Sequence, residues 1–183
     1  MPTTSPAQTV ERISSFTPEE LADLCEATDA AIMDGGGFGW ITPQGRQALE
    51  RYFKGLLLVP ERELFVVRLH GRIVGSGQLV RPPRNNEAQA FAAQLMHAFI
   101  APYARGHGLA QLLTQRIEDG ARAMGYQVLN LDVRETQTAA IRLYERMGYI
   151  RMAVHPHYAR VGGKTVRGIF YYKLLQSSSR ISQ

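Results

Sequence analysis

The sequence holds a single cysteine, Cys25, which excludes an internal disulfide and fits a reducing compartment. No apolar run reaches membrane-spanning length. The beginning, Met1-Pro2-Thr3-Thr4-Ser5-Pro6, has neither a basic start nor a following apolar core, so a cytoplasmic location is the expectation. Lysine is nearly missing, with only Lys54, Lys164 and Lys173. The net charge of +5 therefore rests on scattered arginines, which form no continuous basic stripe for nucleic acid and serve equally well to attract a polyanionic cofactor. His155-Pro156-His157 offers two histidines without a third ligand nearby, so no metal is expected and the segment reads as loop.

What is present is ordinary for a globular chain: 183 residues, 45% hydrophobic and 20% charged, enough for one full core. A single domain over 1–183 is expected, with 1–15 and 176–183 as flexible tails. Thr17-Pro18-Glu19-Glu20 carries a helix start, with threonine at the cap, proline first inside and glutamate three residues on. That helix runs to about Met33 and dies at Gly35-Gly36-Gly37. Cys25 shares it with Leu21, Leu24 and Thr28 and reads as a small core residue rather than a nucleophile. Thr42-Pro43 repeats the start signal before a second helix whose face is Leu49, Tyr52, Phe53 and Leu56.

Residues 64–69 and 73–80 read as a β-hairpin turned by His70-Gly71. The run 88–101 suits helix or strand by composition. It leads into Arg105-Gly106-His107-Gly108-Leu109-Ala110, after which Leu109, Leu112, Leu113 and Ile117 recur at helical spacing to about Met124. Paired glycines tolerate positive φ and leave the main chain open to an anion, and the amides and dipole of the following helix favour one. Arg105 adds a planar fork of donors. The loop lacks the Lys-Ser/Thr ending of a P-loop and the spacing of a dinucleotide fingerprint. A strand over 128–133, a helix over 138–147 stopped by Gly148, and strands over 149–154 and 168–174 joined by a loop with Gly162-Gly163 complete the chain. This order suits a mixed α/β sheet with ligand at its strand ends.

The glycine loop resembles the pyrophosphate-binding signature of the GCN5-related N-acetyltransferase (GNAT) superfamily. Ala140 to Tyr149, with Tyr144 and Gly148, resembles that superfamily's second signature, in the right order and at a familiar separation. The resemblance covers roughly residues 60–175. It implies a central mixed, mostly antiparallel twisted sheet flanked by helices, with residues 88–101 as the strand that delivers the loop. It also implies acetyl-coenzyme A as co-substrate, with pyrophosphate held by Arg105, Gly106, His107, Gly108, Leu109 and Ala110, assisted by Gln111. Backbone amides near Phe99 and Ile100 would polarise the thioester carbonyl. Gln137 stands where the family has an asparagine for the pantetheine arm, a longer stem with the same groups.

Tyr144 matches the family's tyrosine whose hydroxyl donates to the departing sulfur. An acceptor amine near pKa 10 is about a thousandfold protonated at neutral pH, so a base is needed. Asp132 at a strand end, Glu135 after it and His97 before the loop are the candidates, Asp132 first. Asp34-Gly35-Gly36-Gly37, Leu131-Asp132, Tyr144 and the closing run 168–174 look, more loosely, like the tabtoxin-resistance type, whose acid/base residues match Asp132 and Tyr144. In the family the loop between the last two strands walls the acceptor pocket, which brings His155, His157 and Tyr158 toward substrate. The function so implied is acetyl transfer to the amine of a small molecule in a ternary complex. A homodimer is left open, no nucleic acid or membrane partner is expected, and the alternative is an acyl-CoA-binding regulatory protein without turnover.

Overall fold

The computed structural model describes residues 7–175. In chain order the elements are β1 (Gln8–Ile13), α1 (Pro18–Met33), α2 (Arg46–Leu56), β2 (Arg62–Leu69), β3 (Arg72–Val80), β4 (Ala92–Ile100), α3 (Leu109–Ala123), β5 (Val128–Arg134), α4 (Thr138–Arg146), β6 (Ile150–Val161) and β7 (Lys164–Leu174). The strands hydrogen-bond in the order β1-β2-β3-β4-β5-β7-β6 as one seven-stranded sheet. The pairs β1/β2, β2/β3, β5/β7 and β6/β7 are antiparallel and β4/β5 is parallel. This is the mixed, mostly antiparallel sheet with helices that the resemblance implies. The chain forms two compact units, Met1–Val80 with Met96–Ile117, and Arg81–Leu95 with Glu118–Gln183.

In the first unit α1 begins as its sequence dictates. Glu20 N–H donates to Thr17 Oγ1 (3.2 Å) and Thr17 N–H donates to Glu20 Oε2 (2.8 Å), a reciprocal capping box with Pro18 in the first turn. The helix buries Leu24, Ala27 and Ile32 against Leu49 and Phe53 of α2, Leu64 and Val66 of β2 and Ile73 of β3. Cys25 lies in this core, and burial pushes its thiol up to about 11, so it is an inert packing group. The buried Gln78 amide is satisfied on both sides, accepting from Arg62 Nη1 (2.6 Å) and donating to the Tyr52 hydroxyl (2.9 Å).

Two expectations fail in this unit. Residues 8–13, read as part of a polar tail, form β1, which pairs along its whole length with β2. Thr42-Pro43 does not start α2. The helix begins at Arg46 behind Gly45, and the amides of Gln44 and Gly45 donate to the two oxygens of Asp29 (2.9 and 3.0 Å). A carboxylate from α1 thus serves the start of α2.

In the second unit Leu129, Leu131 and Val133 of β5 are buried with Leu143 and Tyr144 of α4 and Ile169 and Tyr171 of β7. The buried Glu118 carboxylate is paired twice, with Lys173 Nζ 2.9 Å from both oxygens and Arg122 at 3.2 Å. The segment read as a loop between the last strands is instead a long hairpin turning at Gly162 and Gly163, so His155, Pro156, His157 and Tyr158 lie within β6. β6 is an edge strand, where proline is tolerated because its missing N–H costs no ladder bond. The tail 176–183 lies outside the described residues.

Candidate active site

The glycine loop belongs to the first unit. β4 carries Phe99 and Ile100, both buried, to a short 3₁₀ turn at Pro102–Ala104, after which the chain opens at residues 105–108. Gly106 (φ 85°) and Gly108 (φ 71°) take left-handed conformations that side chains resist. The first helical bond of α3 runs from Leu112 N–H to the Gly108 carbonyl (3.2 Å), which leaves the amides of Leu109, Ala110 and Gln111 without helical acceptors. Leu109 is buried and anchors this end, while residues 105–108, Ala110 and Gln111 are exposed. The result is a helix N-terminus with its donors uncovered. Its residues fit a pyrophosphate.

Arg105 Nη1 lies 2.7 Å from Oδ2 of Asp34, the residue that caps the end of α1, with both side chains about half exposed. At that exposure the pair is weak, and the guanidinium is readily exchanged onto a stronger anion.

His97 sits in β4 with φ 52°, an unusual backbone for a non-glycine residue and a local strain in the strand. Its ring stacks on Phe38 (5.2 Å, 13°), and its Nδ1 lies 3.4 Å from the Gly37 carbonyl. Phe38 stacks in turn on Trp40 (5.7 Å). His97 is therefore held by an aromatic pile from the segment after α1.

The second unit holds Gln137, Tyr144 and Asp132. Gln137 precedes α4 and accepts from Ile141 N–H through its backbone (3.0 Å). Tyr144 is 7% exposed, its ring edge-on to Tyr149 (5.5 Å, 65°), and burial pushes its phenol up to about 12. Asp132 lies inside β5, two residues before its end, between the buried Leu131 and Val133 and so on the opposite face, where it is exposed. The hydroxyl of Tyr158 donates to Asp132 Oδ2. Sequence reasoning brought Tyr158 toward substrate but not to Asp132, because that contact depends on strand register. Glu135 is paired with Arg167, whose Nε (2.7 Å) and amide hold its carboxyl below the usual range. Among the described residues no group of three or more His, Cys, Asp or Glu side chains is arranged for a metal ion. Nor, among them, is any helix long and apolar enough to cross a membrane.

The model of the acetyltransferase (GNAT) family matches residues 31–149. The chain belongs to this family. An uncharacterized N-acetyltransferase from the hisH–hisA intergenic region of Azospirillum brasilense is 61% identical over 129 residues, covering 70% of this chain and 77% of that protein. Among solved structures, an N-acetyltransferase from Staphylococcus aureus Mu50 superposes with a TM-score of 0.79 at 18% identity, over 93% of this chain and 99% of that one. A GNAT superfamily phosphinothricin acetyltransferase from Sinorhizobium meliloti, solved in complex with acetyl-CoA, gives 0.75 at 15% identity, over 98% and 93%. At such identities the two structures show the GNAT fold. The chain is thus a GNAT acetyltransferase, and acetyl-CoA is its acetyl donor.

Proposed function

We propose that this GNAT chain moves an acetyl group from acetyl-CoA directly to the amine of a small molecule, with both substrates bound together. The observation that carries the reading is the pair of left-handed glycines opening onto the free amides of α3, a cradle suited to the donor's pyrophosphate. Residues 105–110 would hold that group, Arg105 leaving Asp34 for it, and Gln111 and Gln137 would add polar contacts.

Acetyl-CoA supplies a thioester whose carbonyl is open to attack. Backbone amides near Phe99 and Ile100 are assigned the developing oxyanion. The exposed Asp132 carboxylate attracts the ammonium form of the acceptor and takes its proton, directly or through water. The new bond joins the amine nitrogen to the acetyl carbon as the carbon–sulfur bond breaks, and the Tyr144 phenol donates to the departing sulfur. His97, held by its stack on Phe38, is the second candidate for the base. The lone buried Cys25 supports a cytoplasmic setting, as a reducing compartment keeps such thiols free.

The test is a screen of primary amines and amine-bearing antibiotics with acetyl-CoA, read by release of free thiol. Turnover is expected, with Asp132→Asn losing more rate at neutral pH than at high pH, where free amine is already abundant. Binding of acetyl-CoA without turnover on any amine favours the regulatory acyl-CoA binder. Wild-type rates for Asp132→Asn across the pH range, with the basic limb lost in His97→Ala, move the base to His97.

A further inference from the structure

The pairing of β6 with β7 slips twice, between Arg151 and Ala153 and, more widely, between His155 and Ala159. His155 stands opposite Gly168 and Ala159 opposite Val166, so Pro156, His157 and Tyr158 share the stretch that Arg167 fills alone. Such a bulge re-aims a side chain. Here it throws Tyr158 across β7: the Cβ, Cγ and Cδ2 atoms of Tyr158 occupy the space that a side chain on Gly168 would need. The ring then meets Phe170 edge-on (5.8 Å, 87°), and its hydroxyl arrives at Asp132, the residue that β5 pairs with Phe170. Three strands and one missing side chain are thus spent on a single hydrogen bond.

We propose that Tyr158 is the positioning residue for Asp132: lying over Gly168, its hydroxyl fixes the carboxylate's orientation and leaves the other oxygen for the acceptor's ammonium. The proposal rests on the reading of Asp132 as proton acceptor. Among the described residues Tyr158 is the hydrogen-bond partner of Asp132. Without it an exposed aspartate has freely turning χ angles, and each rotamer aims the carboxylate elsewhere. Burial and the contact with Asp132 both push the Tyr158 phenol up, so it stays protonated and keeps donating throughout the range in which an amine acetyltransferase works. Arg134, two residues along β5, favours charge on the Tyr158 oxygen, the uncharged Phe170 of β7 packs against the ring, and His155 stands opposite Gly168 on β6.

The test compares steady-state kinetics of the full chain, Tyr158→Phe and Gly168→Ala with acetyl-CoA and an amine that the screen finds to turn over. In Tyr158→Phe, kcat/KM for the amine is expected to fall about tenfold or more while KM for acetyl-CoA and the melting temperature stay unchanged, since the ring stays and only the donor leaves. In an Asp132→Asn background the same change is expected to add no further loss. Gly168→Ala, which displaces the ring, is expected to act the same way. Should Gly168→Ala fail to fold, Tyr158→Phe decides alone. Unchanged amine kinetics in folded Tyr158→Phe overturn the proposal while leaving Asp132 as base. Wild-type turnover by Asp132→Asn instead overturns the reading on which it rests.

Discussion

Tyr144 illustrates how burial prepares a side chain for one half of the chemistry. A phenol pushed up to about 12 by desolvation stays protonated at neutral and mildly alkaline pH, so it is available there to donate. Its contribution therefore adds no titration limb to the rate below that pH. Removing the hydroxyl while keeping the ring on Tyr149 isolates the donor from the packing. Tyr144→Phe is expected to lower turnover by about tenfold to ten-thousandfold, the range of general-acid work, with acetyl-CoA affinity in calorimetry nearly unchanged. Equal turnover would leave Tyr144 as a packing residue. The two carboxylates differ in their partners: Glu135 is paired with the Arg167 guanidinium, whereas Asp132 meets the neutral hydroxyl of Tyr158.

At the scale of elements, legibility followed the distance over which each signal acts. The start of α1 was readable because Thr17, Pro18 and Glu20 carry every part of it within four residues. The start of α2 was misplaced because its cap comes from Asp29, a helix away. Asp29→Ala is expected to cost about 1–2 kcal/mol by stranding two amides, with Asp29→Asn in between, as measured by urea unfolding. Equal midpoints would reduce the contact to an ornament. β1 carries too few apolar residues in Gln-Thr-Val-Glu-Arg-Ile to announce itself, and is held by its ladder with β2. In β6 the bulge and Pro156 hid a strand, as only an edge position makes them admissible. In the candidate site, the glycine loop was legible because its donors come from the residues that write the motif. The partnership of Tyr158 with Asp132 was not, because the register of three strands creates it.

For the whole molecule, the reading requires that acetyl-CoA bind the folded chain and not the unfolded one, which makes thermal stability a reporter of the loop. A ligand at one hundred times its Kd stabilises by about 2.7 kcal/mol. For 183 residues this corresponds to a rise in Tm of roughly 5–10 °C. The net charge of +5 helps to gather the polyanion, so the shift at fixed ligand is expected to shrink as salt rises. Gly108→Ala provides the control. At φ 71° a Cβ costs about 1–2 kcal/mol, yet in the free chain that Cβ meets nothing within 4 Å, so the variant folds with a lower starting Tm. What the added methyl obstructs is the close approach of phosphate to the amides that follow. The ligand-induced rise, taken from each variant's own baseline, is therefore expected to fall to less than half of the wild-type rise at the same acetyl-CoA concentration. A folded Gly108→Ala protein with the full rise would show that the pyrophosphate binds elsewhere, and the assignment of residues 105–110 would go with it.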